Sequence, residues 1–218
     1  MTFAAAFPRM FSAPFKPDLA ADVVASWWVV PGKTCVAAYQ PKDAASLAAS
    51  YINRANPGAY DAAPGVAPTW DAATGWVFGG ASHLEIGITV QTNYTILVRF
   101  SDAADSTVSY PLGGRTGEYD YGLLPSVSLA AHRFVSRTMI AQMEPAVTSG
   151  IMGTAGSSCY LNGAGEGQLS GMGPVLIRIG SFLTGFGFFT GKIQAVVVYS
   201  DTLTAGEVAT VSAAMAAL

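Results

Sequence analysis

The sequence predicts an all-β antiparallel sandwich, and three observations carry that reading. The 24 glycines and 12 prolines of the 218-residue chain are spread along it rather than gathered into a linker, which suits many short strands joined by tight turns. Runs such as YTILVRFS (94–101) and the β-branched stretch within FFTGKIQAVVVYSD (188–201) have strand length and composition. The longest apolar stretches, around Ser181–Phe189 and Ala195–Tyr199, fall well short of the roughly 18–20 residues a membrane helix needs. A chain of this size fits one sandwich domain with extensions.

In chain order, the first segment stands apart. Phe3, Phe7, Phe11 and Phe15 recur at every fourth position, a helical spacing. Pro8, Pro14 and Pro17 remove backbone donors and clash with a continuous helix. Residues 1–31 are therefore read as an extended assembly arm, with 32–218 as the sandwich. The four rings need burial, on their own sandwich or in grooves of a neighbouring subunit. Trp27 and Trp28 flank the arm and are read as its anchors.

From Asp43 to Ala55 the spacing of Leu47, Ala48, Tyr51, Ile52 and Ala55 predicts a short amphipathic helix, stopped by Asn56, Pro57 and Gly58. After a Pro/Gly loop (57–68), turns at 73–75 and 79–82 bracket short strands. Trp76 falls in that strand pattern and is expected in the core. Trp70, just after the loop, is the one tryptophan placed as a candidate ligand-binding ring. Residues 94–101 form a clear strand; 121–129 form another, with an edge or bulge at Pro125; 132–142 read as a single strand. CYLNG (159–163) ends in Asn-Gly, a strong hairpin signal, and the GAGEG that follows reads as a flexible loop. In the closing strand Ile193 and Val197 are expected on one core-facing side, because strand side chains alternate. Thr204 and Glu207 have the spacing of a capping box opening a final helix.

Charge narrows the function classes. Only 11% of residues are Asp, Glu, Lys or Arg, against about a quarter in an ordinary domain. The net charge is -3 and the mean hydropathy +0.38, so a free monomer has weak colloidal protection. That favours a subunit covered in an assembly. No run of Lys or Arg offers a footprint for nucleic acid or an anionic membrane. The Met-Thr-Phe start has no basic region and Pro8 and Arg9 follow closely, so no secretory signal is expected. Cys35 and Cys159 lack a disulfide-framework spacing and are expected unpaired.

Ile179-Gly180, then Phe189, Gly191 and Ile193, then Leu203, Thr204 and Glu207 make up a pattern that resembles the closing strands of laminin G-like, concanavalin A-like jelly rolls. Upstream, Trp76, Phe78 and Gly79 in WVFGGASHLEIG resemble that family's early strand pair. The similarity covers about Ala38 to Leu218. It implies the fold well and the function poorly, because these motifs are structural. Retaining glycanases on this sandwich resemble one another in a Glu-x-Asp-x-Glu strand that holds the acid and the nucleophile. This chain lacks it. GEYDY offers only Glu118 and Asp120, read as a turn or solvated edge.

His83 and His132 have no partner at metal-ligand or triad spacing, so neither catalysis nor a cofactor is expected. Lectin-type members also carry calcium rim sites; Asp102, Asp105, Asp120 and Asn162 are available here but form no recognisable loop motif. The stretch SLAASYINRANPGAYDAAPGVAPTW further resembles laminin G-like proteins of bacteriophages and environmental bacteria. The function expected is a non-enzymatic phage-particle subunit, a capsid decoration or tail-associated protein made in the host cytoplasm. It assembles with itself and other virion proteins through its arm. The alternative is a carbohydrate-binding, lectin-like module.

Overall fold

Among the described residues the chain forms fifteen strands and two short helices. In chain order they are β1 (Cys35–Tyr39), α1 (Leu47–Ser50), β2 (Ala63–Val66), β3 (Thr69–Asp71), β4 (Gly75–Gly79), β5 (His83–Val90), β6 (Thr95–Ser101), β7 (Leu112–Arg115), β8 (Asp120–Val127), β9 (Ala131–Ser136), β10 (Ile140–Met143), β11 (Gly150–Ala155), β12 (Ser158–Leu161), β13 (Ala164–Gln168), β14 (Val175–Ile179), β15 (Thr190–Tyr199) and α2 (Ala205–Ala216). The structure is a computed structural model and describes residues 26–127 and 130–218. The ring series Phe3, Phe7, Phe11 and Phe15 lies outside the described residues.

Two antiparallel sheets face each other. One has eight strands in the order β13-β12-β11-β6-β15-β4-β3, with β1 also paired to β15; the other has seven, β10-β9-β8-β7-β14-β5-β2. Between them lies the main core, in which Trp76, Phe78, Phe100, Tyr121, Phe134 and Phe189 are fully buried. Tyr121 Oη and Thr154 Oγ1, 3.2 Å apart, join the two sheets across it. The outer face of the eight-stranded sheet carries a second core of Ala38, Leu97, Val197 and Tyr199 beneath Val208, Val211 and Met215 of α2.

Trp27 and Trp28 pack on this same outer core, edge to face at 5.5 Å. The Trp27 indole donates to Gln40 at 2.9 Å, and the Trp28 carbonyl accepts from the Tyr199 hydroxyl at 2.8 Å. The segment 26–31 is thus stitched to its own sandwich.

Local signals were realised where they are self-contained. Asn162 and Gly163 both adopt positive φ (51° and 82°), the two-residue primed turn that suits strand twist, and join β12 to β13. The Thr204 side chain accepts from the Glu207 N–H and the Glu207 carboxylate accepts from the Thr204 N–H at 2.7 Å, a complete capping box. The opposite end of α2 has no basic residue of its own; Arg99 of β6 donates to the Met215 carbonyl there at 2.7 Å.

Four expectations are corrected. The helix over 43–55 shrinks to a single turn capped by Ser46. Buried Asn53 breaks it: its Oδ1 accepts from the Ala38 N–H and its Nδ2 donates to the Val36 and Ala59 carbonyls, all at 2.8–2.9 Å. An Asn side chain able to take backbone groups in this way competes with helix continuation. The single strand over 132–142 is a hairpin, β9–β10, closed by the Ser136 N–H on the Met139 carbonyl at 2.8 Å. GAGEG is the edge strand β13 rather than a free loop. Ile193 and Val197 point to opposite faces, because a bulge between Ile193 and Ala195 shifts the alternation. Ile193 enters the inter-sheet core and Val197 the core under α2.

The Thr204 backbone hydrogen bond, foremost, holds the Glu207 carboxyl below its ordinary range. A depressed carboxyl stabilises the fold above the unfolded-state pKa and loses that contribution as pH falls through the folded value. Glu207→Gln is therefore expected to lower the melting temperature at neutral pH, and the two proteins' melting curves are expected to converge in acid.

Candidate functional site

Among the described residues no helix covers the central strands of the seven-stranded sheet's outer face, and it is here that aromatic and charged side chains converge. Residues that alternate with the core positions of β7, β8 and β9 point outward: Gly113 and Arg115, Asp120, Gly122 and Leu124, then Arg133 and Val135. Glycine at 113 and 122 matters because rings lie flat on the sheet there. A Cβ on Gly113 would sit 2.9 Å from Phe182, and one on Gly122 would sit 2.7 Å from Tyr110.

Tyr110 and Phe182 stack on each other with centroids 4.6 Å apart and planes 28° from parallel. They form a small cluster with Leu124 and Val135. Over the Phe182 face, 5.0 Å from its centroid, lies the Arg115 guanidinium. Arg115 in turn grips Asp120 bidentately, Nε to Oδ1 and Nη2 to Oδ2, both at 2.7 Å. Fork-to-carboxylate geometry of this kind fixes both side chains.

Around this platform opens a groove of about 500 Å³, walled on one side by the β9–β10 turn (Arg137, Thr138, Met139, Ile140) and on the other by Phe186. Phe186 is 47% exposed and Ile140 58% exposed. The Gly/Phe-rich segment before β15 positions Phe186 through a tight turn, with reciprocal backbone hydrogen bonds between Leu183 and Phe186 at 3.0 and 3.2 Å. Burial, foremost, holds the Tyr110 phenol above its ordinary range, so the hydroxyl stays protonated at the groove. The arrangement offers one exposed ring, Phe186, over a floor in which Tyr110 and Phe182 are buried, beside the fixed Arg115–Asp120 pair, a mix of apolar and polar lining that suits a small-molecule site.

The two carboxylates of GEYDY do not face each other as a pair. Asp120 is buried and committed to Arg115, while Glu118 is exposed in the preceding turn. The oxygen ligands considered for calcium are also engaged separately: Asp102 with Lys192 at 2.7 Å, Asp105 with Ser126 at 2.9 Å, and Asn162 Oδ1 with the Ile151 N–H at 2.9 Å. Among the described residues no three His, Cys, Asp or Glu side chains come close enough together to hold a metal. Cys35 and Cys159 are both free, each thiol pushed up to about 12, chiefly by burial.

Trp70 is not part of the groove. It lies on β3 of the other sheet, half-buried against the inter-sheet core, with its indole N–H donated to the Pro41 carbonyl at 2.8 Å. Tyr110, Arg115, Arg137, Phe182 and Phe186 drew no attention in the sequence. The only signals pointing to them were the Gly-Gly-Arg of β7 and the run SFLTGFGFF.

Two packed antiparallel sheets make this a β-sandwich of the jelly-roll type, and solved structures share that fold. Domain 4 of AbnA, a GH43 extracellular arabinanase from Geobacillus stearothermophilus, solved in complex with arabinotriose, is similar over 83% of this chain and 98% of its own, with a TM-score of 0.61 and 13% identity. Trypanosoma rangeli sialidase, in complex with 2,3-difluoro-KDN, is similar over 85% of this chain (TM-score 0.62, 13% identity). The match spans only 33% of the sialidase. The binding domain of botulinum neurotoxin DC, in complex with rat synaptotagmin II, is similar over 84% of this chain and 52% of its own (TM-score 0.53, 7% identity). No protein-family profile and no curated protein matches the sequence. At these identities the likeness establishes the fold alone, and none of the three is a phage protein.

Proposed function

We propose that the domain is a non-catalytic carbohydrate-binding module whose ligand lies in the groove over the seven-stranded sheet. The observation that carries this reading is the convergence of the exposed Phe186 face with the Tyr110–Phe182 platform and the fixed Arg115–Asp120 pair in one open groove. Sugar rings present apolar faces and a rim of hydroxyls, and such a groove answers both. A groove rather than a deep pocket suits an internal stretch of a chain-like glycan. The arabinanase domain in complex with arabinotriose supports a carbohydrate ligand on this fold.

Catalysis is not part of the reading, because glycoside hydrolysis uses a pair of carboxyl groups and, among the described residues, Asp120 is the single carboxylate lining the groove. The test is titration of purified protein with neutral and acidic oligosaccharides, following both binding and reducing-end release. Binding without turnover is expected, and Phe186→Ala is expected to weaken it about tenfold, the loss of one aromatic contact of ~1.4 kcal/mol. Turnover abolished by Asp120→Asn would overturn the non-catalytic reading. The rival, a particle subunit, is favoured by the charge content of only 11%. It predicts assembly without sugar, lost on deletion of residues 1–17.

A further inference from the structure

Among the described residues, nothing neutralises part of the positive charge at the groove. Arg115 is committed to Asp120. Arg137, exposed at the rim, makes a single hydrogen bond, from Nη1 to the Gly117 carbonyl at 2.9 Å. Arg133, further along β9 on the same outward side, donates Nε to the neutral Gln142 at 2.8 Å. Among the described residues neither guanidinium has a carboxylate within 4.0 Å, although the chain carries more acidic than basic residues, 14 against 11.

Two unpaired arginines beside an aromatic-lined groove have a clear chemical complement. A guanidinium presents a planar fork of donors that matches an oxyanion and keeps its charge at all working pH values. The neighbourhood also limits how much negative charge fits: Glu118 follows Gly117 in the turn that Arg137 touches, and Asp120 lies on the groove floor. One carboxylate is tolerated there better than a doubly charged group.

We propose that the ligand is an acidic glycan, one whose sugar carries a ring carboxylate of the uronate or sialate kind. The carboxylate is held by Arg137 while the pyranose face rests on Phe186. This inference rests on the carbohydrate reading of the groove and narrows it to a substrate class.

The test uses the full chain and matched ligand pairs: trigalacturonate, triglucuronate and sialyllactose, each beside its carboxyl-reduced, neutral counterpart. Calorimetric titration in low salt is expected to show at least one acid bound ten- to a hundredfold more tightly than its reduced form, the range for one charge-assisted contact. Arg137→Gln is expected to erase that preference, so that acid and reduced form bind alike, and Arg137→Lys to keep only part of it. Thermal melting of each variant checks that the fold is intact. Equal affinity for acid and reduced form, or a preference that survives Arg137→Gln, overturns the acidic ligand but leaves a neutral-sugar groove standing. Binding of no acidic sugar and no neutral one overturns both readings. A sulfated sugar that binds more tightly than any carboxylate overturns the choice of carboxylate.

Discussion

Ile193→Ala is expected to lower the stability of the domain by about 2–5 kcal/mol, the range for truncating a fully buried aliphatic side chain whose cavity cannot collapse. Ile193 is 0% exposed in the inter-sheet core, opposite Trp76 on β4 and Phe100 on β6. Val197 is equally buried but lies on the other side of the sheet, under α2. The bulge between them makes a sharper prediction than the single substitution. Val197→Ala is expected to couple with Val208→Ala in a double-mutant cycle, because both belong to the outer core, and to add independently with Ile193→Ala. Chemical denaturation of the three single and two double variants measures this. Coupling between positions 193 and 197 with none between 197 and 208 would place both side chains on one face.

Trp76→Ala carries the second large effect, about 3–5 kcal/mol. The indole is fully buried, with ring neighbours Tyr39 and Tyr51 at centroid distances of 6.1 Å each. Its N–H is donated to Ser50 Oγ at 2.7 Å. Removing the ring leaves that hydroxyl without its donor and takes the support from the 40–62 crossing, where α1 is only one turn long. A milder Trp76→Phe is expected to retain much of the packing and lose the hydrogen bond, a cost of about 1–2 kcal/mol. If Trp76→Ala and Trp76→Phe prove equally mild, the ring does not anchor the crossing.

The features legible in the sequence are those a few neighbouring residues decide. Asn162-Gly163 needs only its own positive φ values to make a turn, and Thr204 with Glu207 needs only its own backbone to cap a helix. The bulge implied by Pro125 is present, as a shift in pairing between Leu124 and Val127. What was not legible depends on partners far along the chain. The Ile193 bulge is set by registers against β4 and β6, which the alternation within β15 does not encode. The length of α1 was lost to Asn53, whose buried amide serves β1 and the following loop rather than its own helix. The β9–β10 turn has neither Gly nor Pro to mark it, and is held by Ser136.

The groove was hidden for the same reason. Tyr110, Asp120, Arg137 and Phe186 come from four separate stretches of the chain and meet only because β7, β8, β9 and the segment after β14 lie side by side. Trp70 attracted attention as a ring beside a Pro-rich loop; it lies on β3, away from the groove, with its indole N–H donated to the Pro41 carbonyl. The 26–31 segment read as part of an arm, while Tyr199 and Gln40 bind it to the sheet through contacts that only tertiary structure supplies.

The claim that this open face is the ligand surface is tested most directly by mapping. Backbone amide resonances of isotopically labelled protein, followed by NMR during titration with an oligosaccharide that binds it, are expected to shift at Tyr110, Arg115, Arg137, Ile140 and Phe186. Those around Trp70 and along α2 are expected to stay in place. Shifts confined to Trp70, β3 or the α2 face, with the groove residues unmoved, would contradict the account.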